Sequence, residues 1–277
     1  MDDHELSAQL KELDGKLRVR VNDPGKTAIL DAQQWKNVFH DITPAEIYRR
    51  FAGAAGGNEV KLNITIGRDT PNATINLFHN HEFTGDLASK AKSGLDFIIS
   101  DGSARLVGAD LSAAPTGQSV AKGYMRESAK LFKDIDIKEL TLFAERTGGY
   151  AWAKYGFQPP TPDRWHSLQD DIARRVPTGA GRIYFQDRVY DITPSEQAAI
   201  QAITTAKHPD TLKHLTMLNR VLFTEGDQEI TVGKAALIGT KWEASLPLED
   251  GNPAYERFKA YTDDGLARGR GPRGVAA

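Results

Sequence analysis

Between Leu111 and Phe157 the sequence sets out, in order, a strand ending L-S-A-A-P, a small-residue loop T-G-Q-S-V-A-K-G, an amphipathic stretch, a strand E-L-T-L-F-A, and a helical stretch closing on K-Y-G-F. A strand, a loop of small residues and a helix N-terminus together make an anion site, because unpaired backbone N–H groups and the helix dipole converge there. Small side chains let a phosphate approach the backbone, and Lys122 and Arg126 stand at the loop end and first helical turn, where their charge would meet it. A second group, F-H-N-H-E-F, places His79 and His81 two apart on a strand with Glu82 beside them, half of a site for zinc or another borderline metal. No third ligand accompanies the pair, so edge-strand histidines are the better reading and no metal is expected. His208 and His214 are six apart and cannot share a ligand as i, i+4 residues do. Cysteine is absent, which removes thiolate nucleophiles, disulfides and Cys-based zinc sites. No G-x-S-x-G elbow, P-loop or strand-linked Rossmann glycine motif occurs.

The elements that must position these residues follow from periodicity and caps. Leu6, Leu10 and Leu13 lie at helical spacing, and L-R-V-R-V (Leu17 to Val21) alternates like a strand with Leu17, Val19 and Val21 on one face. D-I-T-P-A-E at Asp41–Glu46 is a helix start, with Thr43 as cap, Pro44 in the first helical position and Glu46 completing a capping box. The same device returns as D-I-T-P-S-E at Asp191–Glu196. Strands are predicted over Val60–Ile66, Ala73–Phe78, Asp96–Ser100 and Ala104–Ser112, mostly antiparallel neighbours by their short links. The helix after the loop is predicted over Gly123–Ile135, with Met125, Ala129 and Phe132 on the face toward a sheet. Beyond the break Q-P-P-T-P-D, we expect a helix over Arg164–Arg175, a hairpin turning at Gln186-Asp187, helices over Pro194–Thr205 and Pro209–Phe223, a strand over Ala235–Gly239 and a helix over Pro253–Thr262.

Here the chain resembles the Gcn5-related N-acetyltransferase (GNAT) superfamily in a diverged form. That family's pyrophosphate loop reads Q/R-x-x-G-x-G/A, and Gln118, Ser119, Val120, Ala121, Lys122 and Gly123 fit it with one departure, Ala121 for the first glycine. Upstream, Leu111 to Pro115 lies where such proteins carry a pattern like L-x-V-x-P, and downstream Y-A-W-A-K-Y-G-F is similar to the family's A-x-x-L-Y-x-K-x-G-F close. The resemblance implies an α/β (α+β) fold, a GNAT-like mixed sheet flanked by helices that splays after the fourth strand. The division it implies is an N-terminal arm (1–38), an acyl-CoA-binding domain (39–160), a C-terminal α+β domain (161–264) and a flexible tail (265–277).

It further implies acetyl-CoA as co-substrate, held by Leu111, Ala113 and the Gln118 to Gly123 loop, and direct transfer of the acyl group to an amine with general acid and base assistance. The family's thiolate-protonating tyrosine falls on Trp152, whose indole cannot act as an acid. On a helix Tyr155 stands about 60° and Tyr150 about 160° from that direction, so both are candidate acids with Tyr155 the nearer; Asp110 and Glu145 are candidate bases. A non-catalytic GNAT-fold structural or interaction protein, part of a larger assembly such as a phage particle, is the alternative reading.

Composition bounds both readings. Of 277 residues 40% are hydrophobic and 26% charged, and 35 Lys+Arg against 37 Asp+Glu leave a net charge of −2, so nucleic acid is not expected as partner. No apolar run approaches the roughly 18 residues of a membrane span, and six acidic side chains occupy the first 30 residues. A cytoplasmic protein without a membrane partner is expected, with a protein partner or homo-oligomer left open and the acceptor amine unassigned.

Overall fold

The computed structural model describes residues 1–22, 30–55, 59–68, 72–80, 92–110, 117–226 and 228–269. The chain is mixed α/β and divides into two compact units, Met1–Leu140 with Lys259–Ala277, and Thr141–Phe258.

In the first unit α1 (Asp3–Glu12) leads into β1 (Leu17–Asn22), and α2 (Ala32–Phe39) and α3 (Pro44–Ala54) precede β2 (Val60–Gly67). There follow β3 (Ala73–Asn80), β4 (Lys92–Ser100), β5 (Ser103–Asp110) and α4 (Gly117–Asp134). The five strands lie in the order β1-β2-β3-β4-β5. β1 runs parallel to β2, whereas β2 to β5 pair antiparallel, so the sheet is mixed. The stretch that reads as an arm thus contributes an edge strand.

Register decides which side of the sheet is core. Leu62 opposes Leu77, Leu77 opposes Leu95, and Ile75 opposes Phe97, all on one face and all buried. Helical residues cover this face: Phe132 of α4 meets Phe97 edge-on at 4.9 Å, and each such large side chain contributes roughly 1.5–3 kcal/mol by leaving water. The alternate residues, among them Lys61, Asn63, Thr65, Asn76 and Asp96, are exposed or half-exposed. Asn76 Nδ2 donates to Asp96 Oδ1 across that polar face at 2.8 Å.

The capping box expected at Thr43 is half-formed. Thr43 Oγ1 accepts from Glu46 N at 3.2 Å, but the Glu46 carboxylate turns to Arg50 at 2.5 Å. Arg50 also donates to Asp134 at 2.6 Å, tying α3 to the end of α4. Burial opposes the Arg50 charge, yet the hydrogen bonds to Glu46 and Asp134 outweigh it and hold the guanidinium above its ordinary value.

The second unit takes in most of β6 (Glu139–Ala144), then α5 (Gly148–Lys154), α6 (Pro162–Arg175), the hairpin β7 (Arg182–Phe185) and β8 (Arg188–Asp191), and α7 (Pro194–Thr204). The hairpin turns at Gln186 and Asp187, as expected, with both φ positive at 47° and 57°, the backbone a two-residue hairpin needs. The helix expected over Pro209–Phe223 is instead a 3-10 turn, the four-residue α8 (Leu212–Leu215) and the strand β9 (Val221–Glu225), which pairs with β10 (Gln228–Thr231). The strand expected over Ala235–Gly239 is helical: Thr231 Oγ1 accepts from Lys234 N and starts α9 (Val232–Leu237). The strand there is β11 (Trp242–Pro247). The last helix, α10 (Pro253–Gly269), continues past Gly265, where a flexible tail was expected, and carries the chain back into the first unit.

At Asp191–Glu196 the capping box is complete, and Arg220 adds two hydrogen bonds of 2.7 Å to the Glu196 carboxylate. The Arg220 bonds hold that carboxyl below its usual range. This stabilisation is full above the ordinary glutamate value of about 4.3 and fades as pH falls through the lower folded value. The melting-temperature difference between the wild type and Glu196→Gln should therefore be flat from neutral pH to about pH 5 and shrink below about pH 4; a difference that is constant across acid pH would refute this.

Candidate functional site

The segment singled out for anion binding belongs to the first unit. α4 begins at Gly117, six residues before the expected start at Gly123, so Gln118 to Gly123 are helical rather than a loop. The amides of Ala121, Lys122 and Gly123 consequently enter the helix's own i to i−4 ladder, and the unpaired N–H groups at the start of the helix are those of Gly117 to Ser119. Leu111 and Ala113 lie outside the described residues, as do His81 and Glu82. Asp110 ends β5.

The three residues expected beside a phosphate have structural partners. Gly123 is buried where α4 crosses α3: a Cβ there would stand 3.1 Å from the Ala54 carbonyl oxygen and 3.2 Å from Ala54 Cβ. The glycine gives the two helices a close contact. Lys122 Nζ lies 3.7 Å from the centroid of the Tyr261 ring, a cation–π contact. Arg126 pairs with Glu127 at 2.8 Å and with Asp263 at 3.5 Å. Val120, Ala121 and Lys122 are half-buried.

The candidate acids belong to the second unit, which gathers Trp152, Tyr155, Phe157 and Phe258 into one aromatic cluster. Trp152 lies 5.5 Å from both Tyr155 and Phe157, and Tyr155 lies 6.1 Å from Phe258. Tyr155 is only 6% exposed and forms the C-cap of α5. Its ring meets the Trp152 indole inside a packed core. Tyr150 is also buried; its hydroxyl donates to the Thr216 carbonyl at 3.4 Å, and burial pushes its pKa up, so it keeps its proton at neutral pH. Glu145 is exposed just after β6. The glycine of K-Y-G-F has its own reason: Gly156 holds φ at 97°, and a Cβ would stand 2.6 Å from the Ala254 carbonyl.

Among the described residues no group of three or more His, Asp or Glu could hold a metal ion. No helix is long and apolar enough to cross a membrane among those residues. Sequence reasoning missed a cavity of about 650 Å³ in the first unit, lined by residues from the turn after α1 and from β1, β2 and β3. The alternation L-R-V-R-V puts arginines on the face opposite the core, but only strand pairing brings Arg18 beside Lys61 and Phe78. Comparison with protein-family models, curated proteins and solved structures gave no match to this chain.

If the K-Y-G-F close is structural, its glycine and its tryptophan carry stability. Gly156→Ala should cost about 2 kcal/mol or more from strain and contact, and Trp152→Ala about 3 kcal/mol from the cavity it leaves. Urea unfolding measures both, and losses under about 0.5 kcal/mol, the range of ordinary surface substitutions, would contradict the packing role.

Proposed function

We propose that the chain is an acyl-CoA-dependent N-acyltransferase that transfers an acetyl group directly to an amine. The observation that carries this is the order of elements: the antiparallel run β2-β3-β4-β5, the 18-residue α4, β6, and α5 closing on the Gly156 turn. That is the order the GNAT resemblance implies, with a long helix starting soon after a strand end. The first-turn amides of α4, from Gly117 to Ser119, hold the pyrophosphate, in place of the amides of Ala121 to Gly123. The phenols of Tyr155 and Tyr150 are the candidate acids, and Asp110 and Glu145 the candidate bases.

A specific observation favours a second reading, a non-catalytic structural or interaction protein. Gly123, Lys122, Arg126 and Tyr155 all have packing or ion-pair partners within their own units. On that reading the fold retains the arrangement of a transferase without its chemistry.

Acetyl-CoA at saturating concentration should raise the melting temperature by about 5 °C or more. Ser119→Glu places a carboxylate in the first turn of α4, where it favours the helix by roughly 0.3–1 kcal/mol and occupies the anion position. This variant should keep its own stability and lose the acetyl-CoA shift. Incubation with labelled acetyl-CoA and a primary amine then separates the readings: acetylated amine that falls with Tyr155→Phe supports transfer, a shift without product supports the non-catalytic protein, and no shift overturns acyl-CoA binding.

A further inference from the structure

The cavity of about 650 Å³ in the first unit is of the size small-molecule sites occupy, and three cationic side chains stand among the polar and apolar residues that line it. Lys16, Arg18, Lys61, Asn63 and Phe78 all line it. Strand register explains how they meet. Arg18 opposes Asn63 across β1 and β2, Lys61 opposes Phe78 across β2 and β3, and Lys61 and Asn63 are two apart on one strand. These residues therefore stand on the polar face of the sheet, opposite the buried leucines. Lys16 immediately precedes β1, two residues from Arg18, and its carbonyl accepts from Leu62 N at 2.9 Å, which fixes it beside β2.

The electrostatics of the site are one-sided. Neither Lys16 nor Arg18 has an ion-pair partner among the described residues, and Lys61 has only exposed Glu59 at 3.5 Å. The one acidic residue on the cavity wall, Asp14, accepts from Gly15 N at 2.9 Å in the turn that leads into β1. Three cationic side chains line one cavity, where a multiply charged anion has an arginine fork and two lysines to divide its oxygens. Phe78 is half-buried, so its ring stands at the wall as a surface for a planar group, and the Asn63 amide offers both a donor and an acceptor.

We propose that this cavity binds an organic phosphate that carries a planar ring, with the phosphate on Lys16, Arg18 and Lys61 and the ring on Phe78. The site lies on β1, β2 and β3, is independent of the first turn of α4, and does not require that the chain transfer acyl groups.

ADP titrated into the whole protein by calorimetry is the test, with inorganic phosphate and adenosine as the separate halves of the probe. Arg18 and Lys61 are exposed, so Arg18→Ala and Lys61→Ala should leave the fold intact, which circular dichroism checks. Each should weaken ADP binding by about tenfold, the loss expected for one charged hydrogen bond. Phe78→Ala should weaken ADP while leaving inorganic phosphate unchanged, and in a Ser119→Glu background, where the first turn of α4 is blocked, ADP should still bind and still be weakened by Arg18→Ala. Absence of binding at millimolar ADP overturns the proposal. So does binding lost in Ser119→Glu and kept in Arg18→Ala, which would assign ADP to α4, or binding indifferent to Phe78→Ala, which would remove the ring from the ligand.

Discussion

The crossing of α3 and α4 is the contact on which the first unit depends. Residue 123 has no side chain there, and a methyl group would stand 3.1 Å from the Ala54 carbonyl oxygen, close enough to press on backbone. Around that point Phe51 and Tyr124 pack at 6.4 Å, and Arg50 reaches from α3 to Asp134 at the far end of α4. Once α4 is held there, Phe132 lands on Phe97 and the apolar face of the sheet is closed. The opposite face carries mostly polar residues, with Ile98 and Phe78 among them, and the start of α4 falls seven residues after the end of β5.

This constraint changes what the motif residues mean. A glycine, a lysine and an arginine near a helix start are the residue types a phosphate loop requires, and the same types also serve helix crossing, cation–π contact and surface ion pairs. In this chain Gly123, Lys122 and Arg126 are engaged in the second way. The unpaired amides of α4 belong to its first turn, Gly117 to Ser119, and not to Ala121, Lys122 and Gly123. Within the second unit the K-Y-G-F close behaves similarly, since its aromatic residues build a core and its glycine permits a left-handed turn against the Ala254 carbonyl.

Much of the fold was legible because its patterns are strong. Alternation marked β1 to β3, E-L-T-L-F-A marked β6 over Glu139–Ala144, and Thr-Pro caps marked the starts of α3 and α7. The errors have physical causes. The small residues from Gly117 to Lys122 read as a loop because T-G-Q-S lacks apolar periodicity, yet Val120 and Ala121 continue the helix that Met125 and Phe132 anchor. A-A-L-I was read as a strand by its apolar run alone, although the Thr231 cap and two alanines favour the helix found there. Glu46 left its capping box because Arg50, one turn on, offers a charged partner. The cationic cavity was not legible, since Lys16, Arg18, Lys61 and Phe78 come together only through the parallel pairing of β1 with β2.

The most direct test of this account is to put a side chain at the crossing and read stability and ligand binding in the same protein. Gly123→Leu should lower the free energy of unfolding in urea by roughly 1–3 kcal/mol through overpacking against Ala54, while the fraction that stays folded binds acetyl-CoA as the wild type does. Unchanged stability together with lost acetyl-CoA binding would contradict the account and return Gly123 to the phosphate.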